Sequence, residues 1–137
     1  MKHIPTHTVV LILAAIFGGL SVAMGAFAAH GLKHILEPKA LGWIDTAAQY
    51  EMAHALVLLI LGFALKSWPV WSMLKYAAYC FALGILLFSG SLYVMAFTGF
   101  KALGMVPPLG GLSLLAGWIT LVIAATKQPI IEKPNHD

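Results

Sequence analysis

Residues 46–65 read TAAQYEMAHALVLLILGFAL. A helix needs about 20 apolar residues to cross roughly 30 Å of hydrocarbon, and this stretch has that length. Glu51 and His54 are its only acidic or basic side chains. Their position places the chain in a bilayer and marks the one segment where buried chemistry is conceivable.

Three further apolar runs flank it, at 8–29, 72–97 and 106–125. Hydrophobic residues make up 61% of the 137-residue chain and charged residues 9%, against about a quarter charged in soluble domains. Mean hydropathy is +0.90. The expectation is an all-α, four-transmembrane-helix bundle forming one integral membrane domain over residues 1–137. A β-barrel needs alternating apolar and polar residues in segments of about ten. Residues 55–65 show no such alternation, and helices satisfy their own backbone polar groups in lipid.

The charges set the boundaries. The basic residues are lysines scattered between the runs, with no arginine and no basic stripe, so nucleic acid is excluded as a partner. Cys80 stands alone in the third run and reads as a packing thiol. Lys2 and the small-x-small string Ala26, Phe27, Ala28 resemble signal-peptide features. The first run exceeds a usual signal core, however, and is expected to remain as a span. Lys2, Lys66, Lys75, Lys127 and Lys133 fall on one side of four spans, and Lys33, Lys39 and Lys101 on the other. That bias favours both termini in the cytoplasm of a bacterial inner-membrane protein.

Between the first two spans, residues 30–36 are expected to form a short interfacial turn with Leu32, Ile35 and Leu36 toward lipid. Glu37, Pro38 and Lys39 end it, and Asp45 is the expected N-cap of the second span. Trp68, Pro69 and Trp71 beside lysines read as an interface anchor. Pro107 and Pro108 suit the first turn of the fourth helix. The tail from Lys127 to Asp137 is polar and expected to fray.

Small residues recur every seven positions in each span, returning to nearly the same helix face. Gly18, Gly25, Ala55, Gly62, Gly84, Ser91, Gly110 and Gly117 are the expected helix-packing positions, because small residues let backbones approach in lipid.

On a helical wheel Tyr50, Glu51 and His54 share a sector about 100° wide, with Asp45 and Gln49 opposite. Glu51 and His54 are close enough along the helix to meet. His54 lies about 13 Å along the helix from Asp45. Burial at that depth leaves Glu51 two options. It keeps its proton, or it pairs with His54 or with a hydroxyl on another span: Ser89, Tyr93 or Ser21. An intramembrane ionisable residue is a functional candidate by default. The competing reading is a structural interhelical hydrogen bond, and it carries more weight for His54. The Glu51-x-x-His54 spacing matches half of a di-iron carboxylate site, but the second half is missing and His30 lies in a loop. No metal or cofactor is expected. No phosphate-cradling loop, zinc-protease motif or nucleophile elbow occurs, so no catalytic residue is assigned and no enzyme is expected.

Several strings carry a family resemblance: Gly25 to Leu32 (GAFAAHGL), Trp43, Thr46–Ala47, Gln49–Tyr50, His54–Ala55–Leu56, Leu87 to Tyr93 (LFSGSLY), Pro107 to Gly111 (PPLGG) and Gly117–Trp118. Together, over nearly the whole chain, they resemble the YgdD-like family of small bacterial inner-membrane proteins, which has eukaryotic small transmembrane relatives. The resemblance implies four spans and no established activity. His30, Gln49, His54, Ser89, Ser91, Tyr93 and Gly110 match the family pattern. Glu51 departs from it, since glutamine is the more familiar residue there, so a shared site would rest on His54, Gln49, Ser89 and Tyr93. Two functions are expected to compete. One is packing against itself or a membrane partner. The other is binding or permeation of protons, a small solute or a lipophile around His54.

Overall fold

The computed structural model describes residues 4–68 and 72–127. The second-loop residues Pro69 and Trp71, together with Lys2 and the tail beyond Lys127, lie outside the described residues.

Helix α1 spans Thr6–Ala29 and α2 spans Pro38–Ser67. The third crossing consists of α3, Ser72–Ile85, a π-helical turn at Leu86–Gly90, and α4, Ser91–Thr98. Helix α5 runs over Val106–Thr126. Four helical rods are therefore long and apolar enough to cross a membrane: Thr6–Ala29, Pro38–Ser67, Ser72–Thr98 and Lys101–Thr126. Short 3₁₀ turns at Leu32–His34 and Lys101–Met105 complete the described structure, and no strand occurs among the described residues.

The second helix begins earlier than the sequence suggested. Pro38 occupies its first turn, where a missing N–H costs nothing, and Glu37 takes the N-cap position. Asp45 is therefore exposed on the helix surface and caps nothing, while the Thr46 hydroxyl donates to the Gly42 carbonyl at 2.9 Å. At 30 residues α2 is about 45 Å long and overshoots the hydrocarbon. The expected interfacial turn is the 3₁₀ segment Leu32–His34. Ile35 is exposed there, but Leu32 and Leu36 pack inward against Ile44, Ala47, Leu92 and Tyr93 rather than facing lipid.

Each connection ends for a local reason. The His30 N–H bonds the Ala26 carbonyl and closes α1. At the end of α4, Gly99 adopts φ +68° and its N–H returns to Met95. That left-handed cap suits glycine because it lacks a Cβ.

Helix α1 packs on α2, α2 packs on α3 and α4, and α3 with the π turn packs on α5. Among the described residues, no Cα of α2 comes within 8 Å of one on α5. The second and third crossings are thus central and the first and last peripheral. Burial follows: 44% and 50% of the apolar windows of the central rods are buried, against 28% and 22% of the outer ones.

Four of the heptad glycines sit at helix contacts. A Cβ on Gly62 would meet the Leu11 side chain of α1 at 2.6 Å. Gly84 of α3 receives Leu114 of α5, and Gly117 of α5 receives the Phe81 ring of α3, so two knobs interlock in opposite directions. Gly110 lies against the backbone of Phe88 in the π turn. Gly18 and Gly25 differ: nothing lies within 4 Å of the position a Cβ would take at either. Heptad spacing alone does not distinguish a seam that meets a neighbour from one that faces lipid.

Candidate functional site

Two apolar clusters fill the interior. One is built around Val10, Phe17, Leu58, Phe81 and Leu114, the other around Ala28, Ile44, Leu92 and Ala96. Buried polar side chains lie around one stretch of α2, residues 47–54. Ala47 and Ala48 are small enough for neighbouring hydroxyls to reach the helix backbone. Ser21 of α1 donates to the Ala48 carbonyl at 2.8 Å, and Ser89 of the π turn donates to the Ala47 carbonyl at 2.9 Å. One helical turn later, Tyr93 of α4 donates its hydroxyl proton to Glu51 Oε2 at 2.6 Å. Three neighbouring segments thus clamp α2 at nearly one depth.

Glu51 and His54 take separate partners. A step of three residues rotates a side chain by about 60°, enough to aim Glu51 at α4 and His54 at α5. His54 Nδ1 lies 2.7 Å from the Tyr50 carbonyl, and the Trp118 indole Nε1–H points to His54 Nε2 at 3.2 Å. A carbonyl only accepts and an indole N–H only donates. Together they fix the neutral tautomer with the proton on Nδ1 and the lone pair on Nε2. The bridge spans α2 and α5, whose backbones stay apart, and aromatic rings fill the space beside it. Phe81 lies 5.5 Å from the His54 ring and 5.3 Å from Trp118, and Phe88 lies 4.6 Å from Tyr50.

Most other candidates disperse. Tyr50, grouped with Glu51 and His54 on the wheel, is 47% exposed but stays beside the site, its ring stacked on that of His54 at 6.1 Å. Gln49 is exposed beside α1, and His30 is exposed at the end of that helix. Ser91, at 7% exposure, donates to the Leu87 and Phe88 carbonyls, groups whose ordinary helical partners the π turn displaces. Ala55 is buried in the first cluster. Among the described residues no three His, Cys, Asp or Glu side chains form a group able to hold a metal.

The sequence model of the family described as "Protein of unknown function (DUF423)" matches residues 24–111. A UPF0382 membrane protein of Haemophilus influenzae is 44% identical over 117 residues, covering 85% of this chain and 93% of the relative. The UPF0382 inner membrane protein YgdD of Escherichia coli K12 is 39% identical over 126 residues, covering 89% and 92%. The UPF0382 membrane protein YwdK of Bacillus subtilis is 40% identical over 119 residues, covering 87% and 97%.

The chain belongs to the DUF423 family.

No solved structure matches it. With four candidate spans and these relatives, it is a small multi-pass protein of the bacterial inner membrane. The segment matching the DUF423 model contains Glu51, His54, Ser89 and Tyr93, but Ser21 and Trp118 lie outside it. Trp118 is the residue that sequence reasoning missed. A signal was present. Trp43, Trp68 and Trp71 lie close to lysines, whereas Trp118 sits inside a span, where its indole N–H needs an acceptor.

The tautomer gives a direct check. ¹⁵N NMR of His54 in detergent is expected to show a protonated Nδ1 and an unprotonated Nε2, and the opposite pattern rules the bridge out. Trp118→Phe keeps a ring against Phe81 but removes the donor. It is expected to lower unfolding stability by about 0.6–1.7 kcal/mol, the range of interhelical hydrogen bonds in membranes.

Proposed function

We propose that this protein acts by helix packing, with itself or with a membrane partner, and not through chemistry in its interior. One observation carries the reading: Ser21, Ser89 and Tyr93 each donate to α2, Glu51 accepts through Oε2, and His54 is bridged to Trp118, so the buried polar groups chiefly hold the bundle together. Glu51 and Ser89 are each 1% exposed, so almost no water-sized space adjoins them. Both ring nitrogens of His54 are engaged. A group that receives a solute or relays protons must face a cavity or a water path. The outer faces of α1 and α5, by contrast, carry large apolar side chains and unpacked glycines.

Cross-linking and native mass spectrometry in mild detergent are expected to show a defined oligomer or a bound membrane protein. A strict monomer that co-purifies with nothing overturns the reading. The competing reading, binding or permeation around His54, draws on a carboxyl and an imidazole lying midway along a span. On the packing reading, proton and solute flux in liposomes is the same for the native chain, His54→Ala and Glu51→Gln. A flux that either substitution abolishes moves the function to the interior.

A further inference from the structure

We propose that Gln49 is the centre of a self-association surface through which two copies of this chain meet inside the membrane. The inference rests on the packing reading above and names the partner.

The argument begins with depth. The bond from Ser21 to the Ala48 carbonyl fixes the level of α2 relative to α1. At about 1.5 Å per residue, Ser21 lies about 12 Å from the Ala29 end of α1 and about 22 Å from the Thr6 end. We place Gln49, one residue beyond Ala48, inside the hydrocarbon edge, about 6 Å along α2 from the exposed Asp45 on the same face. It is exposed on the outside of the bundle, and no hydrogen bond reaches its amide among the described residues. The buried polar side chains at this level (Ser21, Glu51, Ser89 and Tyr93) each have a partner. An amide facing lipid tails with neither donor nor acceptor satisfied is a costly state.

The surface around it suits close approach. Gln49 lies in a shallow, open depression between α1 and α2, lined by Ser21, Gly25, Ala26, Ala48 and Ala53. Gly25 has no heavy atom within 4 Å of where its Cβ would be, so packing within one chain does not account for that glycine. Val22, at 61% exposure, stands on the rim as a side chain able to enter the depression of a facing copy.

The chemistry selects the occupant. A glutamine amide carries both a donor and an acceptor. Two such amides about a two-fold axis along the bilayer normal lie at equal depth, and each donates to the other's carbonyl oxygen. A two-fold interface of this kind brings the same patch of both chains together. Lipid ester groups only accept hydrogen bonds and would leave the Gln49 carbonyl unmet. The depression has no charged lining residue that would select an ionic ligand.

The test measures self-association of the full chain by energy transfer in liposomes. Gln49→Leu is expected to weaken it about tenfold, the scale of two interhelical hydrogen bonds. Gly25→Leu, which fills the depression, is expected to abolish it. Neither site packs inside the monomer, so thermal unfolding in detergent should remain that of the native chain. With Cys80 replaced by alanine, Val22→Cys is expected to form a disulfide dimer, whereas Leu112→Cys on α5 is not. Association insensitive to Gln49→Leu, or a dimer cross-linked through Leu112→Cys instead, overturns this surface and leaves the packing reading standing. Capture of a different membrane protein without self-association does the same. A strict monomer with no partner overturns both.

Discussion

Gly110→Ala is expected to lower stability by about 3 kcal/mol, the upper end of the usual cost of overpacking. The reason is the identity of the neighbour. A Cβ on Gly62 would press chiefly on the Leu11 side chain, which can swing aside, and one on Gly84 would press first on the Leu114 side chain and only then, at 3.0 Å, on its backbone nitrogen. At Gly110 it would strike the backbone nitrogen and Cα of Phe88, and backbone has nowhere to move without opening the π turn. Ser89 sits in that turn, so its bond to Ala47 should loosen as well. Gly111→Ala is the matched control, since nothing lies within 4 Å of its Cβ position, and its effect should stay within about 0.5 kcal/mol. Unfolding of the two variants by denaturing detergent measures the difference. Equal stability of the pair would show that α5 does not rest on the turn.

Tyr93→Phe is expected to cost about 1–3 kcal/mol, because it strands the Glu51 carboxyl without its hydroxyl partner in a buried site. Glu51→Gln retains a carbonyl oxygen that accepts from the same hydroxyl, and should change stability by less than about 1 kcal/mol. The combination Tyr93→Phe with Glu51→Leu removes both polar groups and should recover most of the loss, since deleting both partners of a buried pair is far milder than deleting one. A double-mutant cycle reads the coupling directly. If the double variant were as unstable as the sum of the single ones, the hydroxyl–carboxyl bond would not be what holds α4 to α2.

The four crossings were legible because lipid leaves a chain few choices: long apolar runs, no alternation, helices. The start of α2 was not. Asp45 is a good N-cap residue beside an apolar run, yet Pro38 begins the helix seven residues earlier, and nothing in hydropathy marks a helix that continues past the bilayer. The polar layer was half legible. Glu51, Ser89, Tyr93 and Ser21 can be named from residue type and spacing. Their pairing depends on which helices touch. His54 and Trp118 are 64 positions apart, on helices whose backbones do not approach, so their bond follows from packing order alone. The π turn left little compositional trace, because one extra residue in an apolar run looks like any other. Gly18 and Gly25 repeat with the same period as Gly110 and Gly117, and only the arrangement of helices separates them.

The widened turn at Leu86–Gly90 has a consequence for phase. One surplus residue rotates everything beyond it by about 100° relative to a straight rod. α3 can thereby turn its interlocking side toward α5 while α4 turns Tyr93 toward α2, two bearings that a single unbroken cylinder would not offer along one stripe. Losing any one of those five residues would bring the two halves back into step and swing the tyrosine off its target, so the third crossing tolerates changes of residue there far better than a change of length.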